Sequence, residues 1–599
     1  MTLSIAFVLG LILVFSLLLI FDKLRPDVAA MLLLVILGLT GLVSAQELFS
    51  GFSRSAVMTI LALFIITRGL ERTGATRYLG RELGRFSAGR ETRAIVVVMI
   101  AASALSLVMN TIAAAAVLLP GVIGLTYQHE HLRPSKLLMP LSFAALLGGM
   151  ATLYTTANIL VSGVLTEQGL RPYAVFDFLP VGLPMALTGI VFMATLGQRW
   201  LPEAGIGSQA GPRRVRVNLS ETYGLVATVQ AVYVKPGSSM AGLSLAEGGW
   251  GQHLGLNVVG LSRGGKVTLA PPHNEEVLEG DVILFTGNID ESEAKHYGLI
   301  LTEDPTWKGQ LVSDAVGLVE VVLAPRSRLA GSTLSEISFR DKYDLSILAI
   351  WREGHIIREG LADVPLHFGD TLLLQGRRSK INLLHREADF LVLEEDTSPI
   401  ETPVKAAIAI FLTTAAVVLP ALNVLPIAEA AFAAASLMVV SNCVSMDDAY
   451  SAIEWKVVFL IAGMLPLGTA MTNTGTAVFL GRGLVTILGG LGPLAVAGGL
   501  FTLTTLLTQV MSGQATAVIL APIAIAAAQQ VGADPRGMAL AVALGCSMAF
   551  LTPFGHATNL LVMGPGGYTI KDYARVGLPL TLVLAVVFLV ALPLVWGIY

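Results

Sequence analysis

The sequence predicts a polytopic α-helical membrane protein divided by a polar insert. Three observations carry this. Of the 599 residues, 54% are hydrophobic and only 13% charged, against roughly a quarter charged in soluble domains. Apolar runs of about 20 residues, the length that crosses a bilayer as a helix, recur towards both ends of the chain. Between them, residues 203–400 carry charges every few positions and no run long enough to span. The formal net charge of −4 is small for this length, which argues against nucleic acid as a partner. Cys443 and Cys546, both in apolar runs, can build neither a disulfide frame nor a Cys-x-x-Cys metal site.

Residues 1–200 read as a first membrane half, with full spans near 3–21, 27–43, 56–67, 134–165 and 177–198 and an interrupted apolar segment at 94–126. The stretch LSIAFVLGLILVFSLLLIF (3–21) lacks a basic leader and a small-residue cleavage site, so it reads as a retained span. Residues 404–599 read as a second half, with spans near 404–422, 427–444, 456–472, 538–565 and 577–598 and an interrupted segment at 485–530. Lys23 and Arg25, the arginines of 68–93, and Arg199, Arg213, Arg214 and Arg216 fall on one side of this plan. By the positive-inside rule that side is cytoplasmic. The N-terminus is then outside and the insert in the cytoplasm. Five crossings per half is an odd number, so the second half enters inverted. An inverted repeat is the usual plan of secondary transporters.

Local similarity supports a repeat. VMNTIAAAAVLLP (108–120) resembles VMSGQATAVILAP (510–522), and GGMATLYTTANILV (148–161) resembles LTPFGHATNLLVM (551–563) in character. The insert has its own repeat. Pro236, Arg263, Gly265, Gly280-Asp281 and Gly287 recur as Pro325, Arg352, Gly354, Gly369-Asp370 and Gly376, each 89 residues on. VQAVYV (229–234) and VEVVLA (319–324) read as strands. Two tandem α/β modules are expected, at 221–303 and 310–395. GLSRGGKV (260–267) has the wrong glycine spacing for dinucleotide binding and reads as a strand turn. No catalytic triad or metal cluster is visible, so the chain does not read as an enzyme.

Four breaks carry the chemistry: Met109-Asn110-Thr111, Gly148 to Asn158, Ser512 to Thr516, and Thr552 to Asn559. Broken helix is tolerated at membrane depth only where it is buried in protein or lines a cavity. Small and polar residues also let helices pack closely, but four breaks paired across two halves exceed that need. Asn, Thr, Ser and freed carbonyls are neutral oxygen donors suited to Na⁺. Half-helix N-termini suit an anion. The middles of the full spans hold no Asp, Glu, Lys or Arg, which disfavours a proton relay. His556 is the least diagnostic member, since a lone histidine in a bundle is often a hydrogen-bonded structural group.

These paired breaks, and above all FLTPFGHATNLLVMGPGGY (550–568), resemble the Ser-Asn-Thr-type motifs of the divalent anion:sodium symporter family, within the citrate-transporter-like superfamily. The tandem modules resemble TrkA C-terminal (regulator of K⁺ conductance) domains. The resemblance covers nearly the whole chain. It implies a homodimer with an elevator-like transport domain, two re-entrant hairpins at 94–126 and 485–530, and two discontinuous helices at 134–165 and 538–565. It implies a sulfate or di- or tricarboxylate substrate carried with Na⁺ across the plasma membrane, with no other cofactor. Candidate substrate and ion contacts are Asn110, Thr111, Thr152, Thr155, Thr156, Asn158, Ser512, Gly513, Gln514, Thr516, Thr552, Pro553, Gly555, His556, Thr558 and Asn559. Na⁺ is expected at Asn110, Ser512 and carbonyls near Gly555. The sequence departs from the family pattern at Met109, Gly513, Gln514 and Thr155, and its first broken-helix loop is one residue short. The insert reads as a cytoplasmic regulator taking a nucleotide or other small molecule. The alternative suggested by the TrkA-like modules is a K⁺ or Na⁺/H⁺ system, which would need intramembrane carboxylates or a filter loop.

Overall fold

The structure, a computed structural model, describes residues 2–20, 24–75, 90–129, 132–202, 229–250, 254, 256–287, 289–302, 316–324, 327–352, 355–358, 360–384, 387, 389–393 and 403–599. Of the arginine-rich clusters expected to set orientation, Lys23, Arg77, Arg81, Arg85, Arg213, Arg214 and Arg216 lie outside the described residues.

The first half contains α1 (Leu3–Ile20), α2 (Pro26–Leu39), α3 (Ala45–Ser50), α4 (Ser55–Arg72), α5 (Glu91–Ser106), α6 (Thr111–Gln128), α7 (Pro134–Gly149), α8 (Thr156–Glu167) and α9 (Leu179–Phe192). A π turn, Met193–Gly197, carries α9 on to Trp200. The insert supplies α10 (Glu291–His296), α11 (Phe339–Tyr343) and α12 (Arg378–Leu384). The second half contains α13 (Pro403–Ala421), α14 (Ile427–Val440), α15 (Met446–Ala452), α16 (Trp455–Asn473), α17 (Thr476–Leu488), α18 (Pro493–Thr508), α19 (Gly513–Val531), α20 (Pro535–Gly545), α21 (Ala557–Gly566) and α22 (Ile570–Trp596). Among the described residues, six helices are long and apolar enough to cross a membrane.

The second interrupted segment differs from the sequence reading. The second interruption does not begin at 485, because residues 476–488 form the separate helix α17. That helix starts after Gly475 in the left-handed region (φ +77°) and ends before the kink at 489–492. Its Arg482 and interspersed glycines break the apolar run that a spanning segment needs, so composition alone blurs it into the next helix.

The helices pack in two groups. α2 lies on α16, α4 on α14, and α13 on α14. In the other group α5 packs on α7, α18 and α19 on α20, and α9 on α22. The groups meet where α16 touches α19 and α4 touches α8. Polar ties cross this seam. The Arg54 guanidinium lies 3.6 Å from the Glu167 carboxylate, Gln168 Nε2 donates to Thr472 Oγ1 at 2.6 Å, and Tyr154 Oη donates to Ala416 O at 2.8 Å. Glu167, with its side chain only 9% exposed, is a buried carboxylate just beyond the limit of the expected span at 165.

The insert builds two five-stranded sheets. Strands β1 (Val229–Val234), β2 (Asn257–Arg263), β3 (Lys266–Leu269), β4 (Val282–Thr286) and β5 (Leu299–Thr302) pair in the order β3-β2-β4-β1-β5. Strands β6 (Val316–Leu323), β7 (Leu345–Arg352), β8 (His355–Ile357), β9 (Thr371–Arg377) and β10 (Phe390–Val392) pair in the equivalent order β8-β7-β9-β6-β10. Every pairing is antiparallel. Among the described residues the sheets are therefore α+β in character rather than the expected α/β, because no crossover helix joins parallel strands. GLSRGGKV is the β2–β3 hairpin.

The 89-residue offset survives into the hydrogen bonds. Arg263 donates Nε and Nη2 to the two Asp281 oxygens at 2.9 and 2.8 Å, and Nη2 to Glu276 O at 2.7 Å. Arg352 repeats this with Asp370 at 2.8 and 2.6 Å and with Pro365 O at 2.7 Å. Each aspartate also accepts from a loop N–H, Leu278 in one sheet and His367 in the other, both at 2.8 Å. The sheets pack on each other through Ala231, Val259 and Leu284 against Leu348, Ala349 and Leu373. The second sheet also joins the helical core: Val322 and Leu393 are buried with the membrane-half residues. At Gly564 of α21 the backbone runs against Gly369 O, and a Cβ there would also lie 3.0 Å from Thr371 Oγ1.

Candidate functional site

Each half contains a helix–turn–helix followed by a broken helix. In the first half α5 and α6 meet at residues 107–110. Asn110 caps α6, its Oδ1 accepting from Ile112 N at 2.9 Å, and Thr111 is the buried first residue of that helix. In the second half α18 and α19 meet at residues 509–512. Ser512 caps α19, its Oγ accepting from Ala515 N at 3.3 Å, and Thr516 Oγ1 donates to Ser512 O at 3.1 Å. Gly513 and Gln514 occupy the half-buried first positions of α19. Side-chain oxygens at these caps satisfy N–H groups that a helix start leaves free.

The broken helices are α7–α8 and α20–α21. Their loops free backbone carbonyls that need donors once buried. One asparagine in the first turn of the helix that follows each loop supplies them. Asn158 Nδ2 donates to Thr152 O at 2.7 Å and Gly149 O at 3.4 Å. Asn559 Nδ2 donates to Thr552 O at 3.1 Å and Ala549 O at 2.6 Å. Both asparagines are fully buried. A primary amide is the side chain for this task, since it carries two donors on one nitrogen. A threonine then ties each loop to the neighbouring hairpin turn. Thr152 Oγ1 donates to Leu107 O and Thr552 Oγ1 to Gln509 O, both at 3.0 Å. The extra residue between threonine and asparagine in the second loop is the length difference visible in the sequence.

The remaining candidates fall around these loops. Thr155 caps α8 and is buried, and Thr156 follows it half-buried. Pro553 and Gly555 shape the second loop, and Gly555 N donates to Thr552 Oγ1 at 3.1 Å. His556 caps α21, its Nδ1 accepting from Thr558 N at 3.2 Å with Thr558 Oγ1 at 2.8 Å. That places the histidine in the backbone frame of the loop. The hairpin of each half packs on the broken helix of the other: α6 lies against α21, and α19 against α8.

Sequence reasoning missed three residues. Gln509 knits the second loop, with Nε2 donating to Thr505 O and Met548 O at 2.8 Å each and Oε1 accepting from Leu551 N at 3.1 Å. A lone amide inside an apolar arm was its only signal. Ser142 of α7 donates to Asn559 Oδ1 at 2.6 Å across the two halves. Ser106, fully buried at the end of α5, has no hydrogen-bond partner for its hydroxyl among the described residues. Among the described residues no group of His, Cys, Asp and Glu is placed to hold a metal ion.

Spanning apolar helices, with broken segments whose polar groups are bound inside the protein, define a membrane transporter. The chain belongs to the citrate transporter family CitMHS, whose profile matches residues 16–545. It is 32% identical over 587 residues to the uncharacterized transporter YfbS of Escherichia coli, covering 96% of each chain. It is 28% identical to sodium/sulfate cotransporter 1 of Chlamydomonas reinhardtii over 45% of this chain and 32% of that protein. It is 29% identical to the sodium-dependent dicarboxylate transporter SdcS of Staphylococcus aureus over 24% of this chain and 29% of that one. Its family and these relatives are transporters rather than enzymes.

Proposed function

We propose that this protein is a secondary transporter that moves a small anion, such as sulfate or a di- or tricarboxylate, across the plasma membrane with Na⁺. The observation that carries this reading is the pair of broken helices, each held open by a buried asparagine and tied to a hairpin turn. Unwound backbone of this kind, flanked by four helix N-termini of which three are capped by a side chain, suits an anion and its coupling cation together. The names of the sodium/sulfate and dicarboxylate relatives point the same way. Residues 1–200 and 404–599 would be inverted repeats, with the N-terminus outside and the insert in the cytoplasm. The group containing α5–α9 and α18–α22 would move as an elevator against the rest, in a homodimer. The K⁺ or Na⁺/H⁺ alternative is not favoured: no hairpin turn or broken-helix loop holds a carboxylate. The test is uptake of labelled sulfate, succinate and citrate into proteoliposomes, with and without an inward Na⁺ gradient. Uptake of at least one of them, stimulated by the gradient, is the expected result. Flat traces for all three in both conditions would overturn the reading.

In the same reading the modules at 221–303 and 310–395 regulate transport by binding a small molecule. Their route to the site would be the contact of the second sheet with α21, the helix that leaves the second loop. Gly564→Val places a branched side chain against Gly369 O and Thr371. It is expected to raise hydrogen exchange in β6 and β9 and to change the uptake rate about fivefold or more, the usual scale of coupling between sites. Wild-type exchange and rate in that variant would remove the proposed route.

A further inference from the structure

The two sheets of the insert share one fold but meet different surroundings. Strands β6 and β10, paired neighbours in the second sheet, lie against α21 and α6 respectively. Val322 of β6 and Leu393, just past β10, are buried in the helical core, and Phe368 and Leu391 pack on it. Between them the chain meets α21 through its backbone. Gly369 lies in the left-handed region at φ +91°, and a Cβ there would sit 2.8 Å from Leu560 O. A Cβ on Gly564, one turn along α21, would collide with Gly369 O. Glycine is needed on both sides of such a contact, because a side chain on either would hold the backbones apart.

The 89-residue offset supplies the comparison. Val322, Phe368, Gly369, Thr371 and Leu391 correspond to Tyr233, Glu279, Gly280, Val282 and Thr302. A Cβ on Gly280 would meet open space. Glu279 and Thr302 are exposed, and Tyr233 and Val282 are half-buried. Where the second sheet has Phe368, the first has a carboxylate that accepts from Gly237 N at 2.8 Å. A carboxylate is costly to bury against apolar helices, so the polar face cannot stand in for the apolar one. One copy of the module is shaped for docking and the other is not.

The two helices gripped by the second sheet come from different halves but serve one site. Asn110 caps α6 and His556 caps α21, and the two helices pack on each other. We infer that the second sheet is a permanent part of the group containing α5–α9 and α18–α22, strapping α6 to α21 and travelling with them during transport. The insert is then cargo of the moving group, not a platform for the fixed one. The inference rests on the elevator reading above.

The experiment measures distances between pairs of nitroxide labels by electron paramagnetic resonance in the purified full-length protein. Both native cysteines are buried, so the labels go to cysteines introduced at exposed positions. These are Ser379→Cys in the second module, Arg199→Cys at the end of the α9 extension in the moving group, and Asp447→Cys on α15 in the fixed group. Each pair is compared in choline chloride and in NaCl with sulfate, succinate and citrate. The 199–447 and 379–447 distances should shift together by about 5 Å or more, one helical turn, while the 199–379 distance stays constant. Phe368→Glu installs the residue native to the other module, a change that the module fold tolerates. It should broaden the 199–379 distribution, and Glu279→Phe should not. A constant 379–447 distance while 199–447 shifts overturns this inference and spares the elevator. A constant 199–447 distance in a protein that takes up anion overturns the elevator and this inference with it. An unbroadened 199–379 distribution in Phe368→Glu overturns the docking face.

Discussion

Asn559→Ala is expected to abolish uptake and to cost about 3–5 kcal/mol of stability, the largest effect of any single change at the site. The amide is fully buried and makes bonds to Ala549 O, Thr552 O and Ser142 Oγ. Truncation leaves two carbonyls and a hydroxyl buried without that partner, at about 1–3 kcal/mol each before relaxation. The loop would lose its shape even where the fold survives. Ser142→Ala removes one of these bonds and should cost about 1 kcal/mol. Asn158→Ala removes two and should fall between. Thermal unfolding with parallel uptake measures all three. Wild-type stability and uptake in Asn559→Ala would mean that the loop is held by something else.

Asp370→Ala is expected to unfold the second sheet locally, at a cost of about 3–5 kcal/mol. The carboxylate is 1% exposed and accepts two bonds from Arg352 and one from His367 N. Its loss removes the carboxylate that pairs with a guanidinium whose side chain is only 23% exposed. Asp281→Ala should cost less, because Arg263 is 40% exposed and can turn to water. The exposed Glu291–Lys295 pair is a control expected to contribute almost nothing. Hydrogen exchange on the full-length protein reads these effects strand by strand, with β6, β7 and β9 losing protection first. Equal protection in Asp370→Ala and wild type would show that apolar packing alone holds the sheet.

Much of this architecture is legible in the amino-acid order. The 89-residue offset marks Arg263, Asp281, Arg352 and Asp370 as equivalent, and they form the same ion pair twice. The stretches around Asn158 and Asn559 can be matched because small residues, threonines and an asparagine repeat in the same order. The helix breaks fall at 107–110, 150–155, 509–512 and 546–556, close to where glycine, proline and polar residues interrupt apolar runs. The antiparallel sheets and α17 are not legible. Strand pairing depends on connections longer than any local pattern, and Arg482 with its flanking glycines interrupts the apolar run by which α17 would be recognised.

The sequence by itself determined where the chain is apolar, where its helices break, and which residues repeat. Hydropathy, caps and helix breakers act over a few residues, so they can be read in order along the chain. Tertiary structure alone decided which polar atoms are satisfied. Ser142 meets Asn559 from 417 residues away, and Gln509 reaches a loop 39 residues on. Among the described residues, Ser106, Thr155 and Asn158 are left with oxygens that no other group bonds. Pairing a buried polar group requires two distant segments to be packed together, and only the folded arrangement of both halves fixes that.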